Sequence, residues 1–426
     1  MNQPDATEIR IVRLVLTDLF GAARAKTVSF EQYQRALENG HSWASPLLAV
    51  DMWQNLPDDD RLGTGNVTIH PDPDTLTPLP WQPGTSVVLC RAERNGAPAP
   101  TPRDVLMRVL ESAATAGFEP RFGPELEFTL LIGPDGNGTP FGMNEWFTND
   151  ALSRIAPFVD DLYGHLPAMD LPLYEVFNEH GAGQMELNMR PAKGLLAWDR
   201  AVLMKLAVKE IAQLHGMQAT FMSKPSNDPG CGASGFHVHQ TLHEFGGRNL
   251  FVPEGNTPSK EAASYVAGQL AHADAITAFA APTVTSYKRF RPGTWAPMRA
   301  GWGFDNRTAM VRIQVDGENS RIENRLGASD ANPYLLAAAQ LAAGLDGMAR
   351  HLNPGKPASH NIAEDAAYHL VPTDLSAAIE ALESDTVLVD ALGEEFCALY
   401  ASVQRLVWRR YQEHVTDWEI QEYRTL

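Results

Sequence analysis

The chain of 426 residues is long enough for two or three domains, or for one large domain with an appendage. Its hydrophobic content of 44% and charged content of 20% are ordinary for a globular enzyme. The formal net charge of -18 argues against nucleic acid or an anionic membrane as a partner, because both require a basic surface.

The cysteines and the N-terminus indicate the cellular compartment. Cys90, Cys231 and Cys397 lie far apart and lack a metal-binding spacing, so we expect three reduced thiols. The N-terminus lacks the basic start and apolar run of a signal peptide, and no apolar stretch is long enough to span a membrane. We therefore expect a cytoplasmic protein without a membrane partner.

The first hundred residues predict a small domain. Alternating polar and apolar residues over 9–19 predict a strand that ends at a turn with Gly21, and a helix over 29–38 ends at Gly40. The proline-rich stretch over 71–102 contains one short predicted strand, at 87–90. We expect a domain boundary near residue 100, which divides the chain into 1–100 and 101–426.

Helices then alternate with strands. Thr101 and Pro102 are typical of a helix N-cap and first turn, and this helix should end at Gly117, before a strand that carries Glu125 and Glu127. Two further helices are predicted over 198–214 and 332–344, the second rich in alanine and leucine and therefore buried. The polar residues of the strands recur with period two, which favours an antiparallel sheet with one face open to a ligand.

Charged side chains two residues apart recur in three apolar segments. They are Glu125 and Glu127; His237 and His239; and Arg321, Glu323 and Arg325. Alternate residues of a strand point to the same face, so each group should aim at one pocket. Together the carboxylates would repel one another unless cations and an anionic substrate were present. The pattern predicts a site for hard metal ions and a phosphorylated substrate.

Each group also has a simpler interpretation. The two glutamates can belong to a solvated strand face, and the arginines around Glu323 can form a ladder of ion pairs rather than an anion clamp. His-Val-His followed by Glu244 is also similar to the metal-binding strand of a cupin oxygenase, although Cys231 stands where the leading glycine of that motif should be. A further acidic pair, Glu179 and Glu186, flanks a glycine-rich turn that would allow both carboxylates to face one ion.

Seven motifs in the same order resemble the glutamine synthetase superfamily, over essentially the whole chain. They are Gly-Pro-Glu-Leu-Glu-Phe at 123–128, Gly-Gln-Met-Glu at 183–186, Ala-Ser-Gly-Phe-His-Val-His-Gln-Thr-Leu at 233–242, Lys-Arg-Phe-Arg-Pro-Gly at 288–293, Asp-Asn-Arg-Thr-Ala at 305–309, Arg-Ile-Glu-Asn-Arg at 321–325 and Asn-Pro-Tyr-Leu at 332–335. The resemblance implies an α+β fold with a small N-terminal β-grasp domain and a large catalytic domain built on an antiparallel sheet. It also implies a ring-shaped homo-oligomer, usually a dodecamer of two hexameric rings, in which a neighbouring N-terminal domain completes each site.

The resemblance assigns a role to each site residue. Glu127, Glu179 and Glu186 would bind one metal ion, and Glu125, His237 and Glu323 a second, both magnesium or manganese. His239, Thr241, Arg312 and Arg321 would contact ATP. Arg289, Arg307 and Arg325 would contact L-glutamate and the transferred phosphoryl group, with Arg307 and Arg325 in catalytic roles. The implied reaction forms γ-glutamyl phosphate, which an amine then attacks.

The sequence departs from glutamine synthetases around the amine. Asp51-Met-Trp-Gln stands in place of their Asp-Gly-Ser-Ser motif, and we assign to Asp51 the catalytic role of binding and deprotonating the amine. Trp295 replaces a glutamate that closes over ammonium, which removes a cation-binding charge and adds apolar surface. Gly232 and Ala233 stand where Asn-Gly contacts glutamate.

These departures favour a ligase for organic amines. The segments Trp-Gly-Phe-Asp-Asn-Arg at 302–307 and Val-Thr-Asp-Trp-Glu at 415–419 are more similar to the branch that makes γ-glutamyl derivatives of polyamines, ethanolamine, methylamine and other amines. An ordinary glutamine synthetase and a non-catalytic synthetase-like protein are the alternatives. The presence of all six expected metal ligands argues against the non-catalytic protein.

Overall fold

A smaller sheet occupies the N-terminal part of the computed structural model, which describes residues 9–58, 64–133, 138–228, 230–253, 255, 257–291 and 293–426. The strand order is β2-β1-β6-β4-β3, and β5 and β7 both pair with β6. Strands β1 and β6 run parallel, as the implied β-grasp fold requires, and the other pairs run antiparallel. The strands are β1 (Ile11–Thr17), β2 (Ala23–Ser29), β3 (His41–Ala44), β4 (Asn66–Pro71), β5 (Thr77–Pro78), β6 (Thr85–Arg94) and β7 (Ala97–Pro98).

A larger sheet carries the predicted site. Its order is β10-β11-β8-β14-β18-β17-β16, with β9, β12 and β13 also paired to β8. The central ladders are antiparallel, which confirms the predicted sheet, and only the β16–β17 pair among its described ladders is parallel. The remaining strands are β8 (Phe118–Ile132), β9 (Thr139–Pro140), β10 (Leu173–Asn178), β11 (Gln184–Met189), β12 (Ala192–Lys193), β13 (Met217–Thr220), β14 (Phe236–Glu244), β15 (Arg299–Ala300), β16 (Trp302–Phe304), β17 (Val311–Gln314), β18 (Arg321–Asn324) and β19 (His369–Leu370), where β15 pairs with β19.

Helices pack against the apolar face of the larger sheet and form most of the C-terminal part of the chain. Trp198 packs edge-on against Phe122 of β8 and is tilted against Phe236 of β14, which joins helix α5 to the sheet. The helices are α1 (Phe30–Asn39), α2 (Pro102–Thr115), α3 (Asn149–Arg154), α4 (Ala156–His165), α5 (Gly194–Leu214), α6 (Lys260–Ala271), α7 (Ala273–Ala280), α8 (Pro333–Ala349), α9 (Leu375–Ser384), α10 (Thr386–Leu392), α11 (Glu394–Glu413) and α12 (Asp417–Tyr423). Among the described helices, none combines the length and the hydropathy needed to cross a bilayer.

Most predicted elements are confirmed, although several differ in length: β1 is shorter than the predicted 9–19, and α5 begins at Gly194 rather than at 198. The caps at Ser29, Thr101 and Asn332 all accept hydrogen bonds from the first turns of α1, α2 and α8. The predicted short strand at 87–90 is part of the ten-residue β6, because β6 is the common partner of β1, β4, β5 and β7. Helix α8 runs five residues past Gly344.

Gly344 does not end helix α8 because it is a packing glycine. A Cβ at Gly344 would lie 2.2 Å from the ring of Tyr265, and one at Gly347 would lie 2.1 Å from the carbonyl oxygen of Ser264. Both glycines therefore permit the close approach of α8 and α6, rather than a helix C-cap.

Candidate active site

The three predicted strands are neighbours, and their polar side chains meet on one face. Opposite pairs in the ladders are Glu186 with Glu127, Glu125 with His237, and His239 with Glu323. The intervening Leu126, Val238 and Ile322 are each 0% exposed on the opposite face, against the core. The period-two pattern therefore places the acidic and basic side chains on one face and a buried, largely apolar face behind them, where Gln240 and Asn324 are hydrogen-bonded polar exceptions.

Glu125, His239 and Glu323 form a cluster whose potential ligand atoms all lie within 4.8 Å of one another. His237 adjoins this cluster, since its Nδ1 is 3.1 Å from Glu125 and 3.6 Å from Glu323. Burial would raise the pKa of Glu125, but the charges of His239 and His237 outweigh it and hold this pKa well below its usual range. Either histidine is thus placed to share an ion with the two carboxylates, whereas the resemblance assigns this role to His237 alone.

A second acidic group is formed by Glu127, Glu179 and Glu186. Burial, reinforced by the charges of Glu125 and Glu127, raises the pKa of Glu186 to about 11. Burial and the charge of Glu127 likewise raise the pKa of Glu179 to about 7. These carboxylates disfavour their own ionised forms in the absence of a cation, and oxygen donors of this kind suit Mg²⁺ or Mn²⁺. The residues present therefore fit a hard divalent ion.

Two amide side chains that the sequence analysis missed position these acids. Gln184 Nε2 donates to Glu127 Oε2 at 2.7 Å, and Asn188 Nδ2 donates to Glu186 Oε1 at 2.9 Å. Gln184 also contacts the loop before β14, where its Nε2 lies 3.4 Å from the carbonyl oxygen of Ala233. Both amides lie on the same face as Glu186 by the period-two rule, so the pattern contained the signal.

Buried arginines surround Glu323. Its carboxylate accepts hydrogen bonds from Arg312 Nη1 at 2.9 Å and from Arg325 Nη1 at 2.6 Å. Burial opposes ionisation, but the nearby charges, first that of Arg325, lower the pKa of Glu323. Arg289, from the single turn Ser286–Arg289, donates to the carbonyl oxygens of Arg325 and Leu326 at 3.1 Å each. Arg312 and Arg325 therefore form ion pairs with Glu323, whereas Arg289 is held by backbone carbonyl groups.

The remaining predicted substrate residues lie in loops. Arg307 follows β16 and is exposed, and its carbonyl oxygen accepts a hydrogen bond from Arg325 Nε at 3.1 Å. Trp295 is 59% exposed and has a φ of 58°, a strained backbone conformation for an aromatic residue.

A cavity of about 670 Å³ opens beside Glu125. His239, Thr241 and Arg321, three of the four predicted ATP contacts, line this cavity, whereas Arg312 points to Glu323 instead. The volume is in the range of small-molecule sites. Its other lining residues include Arg121, Tyr174, His243, Asn249 and Asn319, which no sequence motif indicated.

Asp51 is not grouped with the other site residues. Its carboxylate accepts hydrogen bonds from the backbone of Trp53 and Asn55, from the Asn55 side chain, and from Arg410 of α11. Burial opposes ionisation, but these donors lower the pKa of Asp51. Within one chain this carboxylate is engaged in structural contacts.

Comparison with known proteins identifies the family. Residues 99–423 match the catalytic domain of glutamine synthetase. The chain belongs to the glutamine synthetase family and is an ATP-dependent carbon-nitrogen ligase.

Both amine ligases and glutamine synthetases are similar to this chain. It is 33% identical to a glutamate-methylamine ligase of Methyloversatilis universalis, over 98% of this chain and 96% of that protein. It is 32% identical to a glutamine synthetase of Halobacterium salinarum, over 99% and 95% of the two chains. A solved structure described as a GmaS/ADP complex superposes with a TM-score of 0.89 at 33% identity, over 98% and 97% of the two chains.

Proposed function

We propose that this protein joins the γ-carboxyl group of L-glutamate to an organic amine through γ-glutamyl phosphate, with ATP as the phosphoryl donor. The observation that carries the proposal is the convergence of two carboxylate groups, buried arginines and a 670 Å³ cavity on one sheet face. Phosphoryl transfer depends mainly on positioning and on neutralising negative charge, which this arrangement suits.

In the first step the γ-carboxylate of glutamate attacks the γ-phosphate of ATP, which forms γ-glutamyl phosphate and releases ADP. Arg325 and Arg307 would neutralise the transferred group, while Arg289 holds the backbone that carries Arg325 and lends further positive charge. Burial lowers the pKa of Arg289 only to about 10, so it stays cationic at neutral pH. Mg²⁺ or Mn²⁺, held by Glu127, Glu179 and Glu186 and by the cluster around Glu125, would supply Lewis-acid activation of the phosphates.

In the second step an amine attacks γ-glutamyl phosphate and phosphate leaves. An alkylamine is mostly protonated at neutral pH, so a carboxylate must bind it and accept a proton. Asp51 keeps this proposed role only if its bond to Arg410 opens, since the carboxylate already has several donors. In a dodecamer of the implied kind, a neighbouring chain would present Asp51 to the site.

Trp295 favours organic amines over ammonium. An exposed indole offers apolar and cation-π surface to an alkylammonium ion, and it lacks the negative charge that a small, strongly hydrated ammonium ion needs. Ammonium remains the alternative substrate, because a glutamine synthetase is almost as similar to this chain as the methylamine ligase is.

The deciding experiment is phosphate release from ATP with Mg²⁺ or Mn²⁺ and L-glutamate. Ammonium, methylamine, ethylamine, isopropylamine, ethanolamine, putrescine, spermidine and aniline are compared, and product masses are checked. Turnover with an organic amine well above that with ammonium supports the proposal. If ammonium were the best substrate, the protein would be a glutamine synthetase. If no amine gave phosphate release, the protein would use a different acid substrate or be non-catalytic.

A further inference from the structure

Asp330 lies in the loop between β18 and α8, and its carboxylate contacts two other loops. Its Oδ2 accepts hydrogen bonds from Thr283 Oγ1 at 2.7 Å and from the Ser223 amide at 3.4 Å. Its Oδ1 accepts a hydrogen bond from Ser286 Oγ at 2.9 Å. A single carboxylate therefore connects the segment after α7, the segment after β13 and its own loop.

Two arginines of the predicted L-glutamate site lie on segments that Asp330 connects. Ser286 and Arg289 are the first and last residues of the single turn Ser286–Arg289. Arg325 begins the loop that contains Asp330, and Arg289 Nη2 donates to the carbonyl oxygen of Arg325 at 3.1 Å. The turn and the loop are therefore held together at two places, by Arg289 at one end and by Asp330 at the other.

The segment after β13 is connected to the loop before β14. The Ser234 amide donates to the carbonyl oxygen of Ser223 at 2.8 Å, and the Ser329 amide donates to the carbonyl oxygen of Ser234 at 3.1 Å. Ala233, a predicted substrate contact, directly precedes Ser234 in the chain. A displacement at Asp330 therefore changes the position of Ala233 as well as that of the two arginines.

A buried lysine holds the backbone on both sides of Asp330. Lys205 of α5 is 8% exposed, and its Nζ donates to the carbonyl oxygens of Ser329 at 2.8 Å and of Ala331 at 3.3 Å. Burial lowers the pKa of Lys205 to about 7, and the charge of Asp330 opposes this shift. Lys205 and Asp330 thus stabilise each other and fix the loop between β18 and α8.

We propose that Asp330 is a positioning residue for L-glutamate, because it fixes the loops that carry Ala233, Arg289 and Arg325. This inference rests on the proposed function and deepens it at the acid substrate. The described hydrogen bonds of Asp330 include none to a proposed metal ligand, and Asp330 does not line the cavity beside Glu125. Its loss should therefore weaken the binding of L-glutamate more than that of the nucleotide.

The test is calorimetric titration of L-glutamate into the enzyme with Mg²⁺ and ADP, together with steady-state kinetics. We expect Kd and KM for L-glutamate to rise about tenfold in Asp330→Ala, because three loops lose their common partner. Kd for ADP and KM for ATP should stay near the wild-type values, and kcat at saturating glutamate should fall less than KM rises.

Asp330→Asn should restore most of the affinity for L-glutamate. Its amide oxygen can accept from Thr283 and Ser223, and its NH2 group can donate to Ser286 Oγ, so the three loops keep a common partner. A purely electrostatic role of Asp330 would not be rescued in this way, because asparagine has no charge.

Asp346→Ala is the matched control. Asp346 is a partly buried carboxylate of α8 whose partners are His272 and Arg350, so its loss removes charged contacts but none to the three loops. Ser286→Ala is a milder variant that removes only the bond to Asp330 Oδ1, and it should raise Kd for L-glutamate by a smaller factor. Circular dichroism checks the fold of every variant.

Three results would overturn the inference. The first is an unchanged Kd for L-glutamate in folded Asp330→Ala, or in Ser286→Ala if Asp330→Ala does not fold. The second is an equal loss of L-glutamate and ADP affinity, and the third is the same loss of L-glutamate affinity in Asp346→Ala. A wild-type enzyme that does not bind L-glutamate fails differently, because it refutes the proposed function before any variant is measured.

Discussion

Glu323 joins the proposed metal-binding part and the arginine-rich part of the site. It is 1% exposed, it faces His239 across the β14–β18 ladder, and it accepts hydrogen bonds from Arg312 and Arg325. A buried carboxylate with two guanidinium partners keeps its charge, so it can pair with the arginines and bind a cation at the same time.

We expect Glu323→Gln to reduce ATP-dependent phosphate release by about 10²–10³-fold, because the amide keeps the shape but removes the charge. Some stability is lost as well, about 1–3 kcal/mol, since two buried guanidinium groups lose their counter-charge. Circular dichroism checks that the fold remains. Glu244→Gln is the control on the neighbouring strand β14, because Glu244 is exposed and its one ion-pair partner among the described residues is exposed Arg248. Wild-type turnover in Glu323→Gln would remove Glu323 from the site.

Trp295 tests the choice of amine at the level of one side chain. We expect Trp295→Glu to raise the ratio of kcat/KM for ammonium over that for ethylamine by about tenfold, since a carboxylate favours the smaller cation and the indole face is lost. Competition assays with both amines measure the ratio directly. Trp295→Phe retains an aromatic ring and should leave the ratio near that of the wild type. An unmoved ratio in Trp295→Glu would place the indole outside the amine site.

The side chains of the site were predictable where a local pattern sets them. Period-two spacing was enough to place Glu125, Glu127, His237, His239 and Glu323 on one face, because strand geometry alone fixes that face. The engagement of Asp51 by Arg410 was not predictable, since 359 residues separate the two in sequence.

At the scale of elements, one histidine joins three helical segments. His272 lies between α6 and α7, and its Nδ1 is 2.6 Å from Asp385, the N-cap of α10. Its Nε2 is 3.0 Å from Asp346 of α8, which also pairs with Arg350. The hydrogen bond to Asp385 raises the pKa of His272 above 6.5, because its effect is larger than the opposing effect of burial. Burial of Asp385 opposes its ionisation, but the hydrogen bond to His272 outweighs burial and lowers the pKa of Asp385 below 3.8.

The stability of the protein should therefore depend on pH through His272. The pKa of His272 is higher in the folded protein than its unfolded value of 6.5. The contribution of His272 to the free energy of unfolding is therefore fully present below pH 6.5 and is lost as pH rises through the folded-state pKa. The lowered pKa of Asp385 contributes above 3.8 and is lost as pH falls. Thermal unfolding of wild type and His272→Gln should thus differ more at pH 6 than at pH 9. His369→Gln, an exposed histidine paired with Asp274, should show little of this difference. Equal effects of His272→Gln at both pH values would contradict the interpretation.

The elements themselves followed from capping and periodicity, except where tertiary contacts decided. Ser29, Thr101 and Asn332 gave the helix starts directly. The helix end predicted at Gly344 was wrong, because this glycine makes room for the ring of Tyr265 of α6, and that contact is visible only in the folded structure. The length of β6 depended in the same way on strand partners that lie distant in sequence.

At the scale of the whole molecule, metal binding should be linked to folding. Ionising Glu127, Glu179 and Glu186 together is unfavourable in the metal-free protein, and a divalent cation would stabilise their ionised forms in the folded state only. We expect Mg²⁺ or Mn²⁺ to raise Tm by a few degrees, corresponding to about 2.7 kcal/mol at a concentration 100 times Kd. Differential scanning calorimetry with NaCl at matched ionic strength as the control measures this.

Glu186→Gln provides the matched variant for that experiment. Burial raises the pKa of Glu186 to about 11, so this group is protonated in the metal-free protein at neutral pH, and glutamine resembles that form. The metal-free variant should therefore be about as stable as the wild type. The increase in Tm on adding metal should become smaller, because glutamine cannot supply the negative charge that would bind the cation. An equal increase in Glu186→Gln and wild type would mean that the cation binds elsewhere.

Strand β8 has a consequence for how enzymes of this kind diversify. It pairs with β9, β11, β12, β13 and β14, and it carries Glu125 and Glu127, so a one-residue slip would turn both acids into the core. The loop that holds Trp295 is under no such constraint. If this loop chooses the amine, as proposed, one amine can be exchanged for another by loop substitutions without altering the strands that carry the acids. Directed evolution toward a new amine should then accumulate its mutations in the loop and spare the ladder.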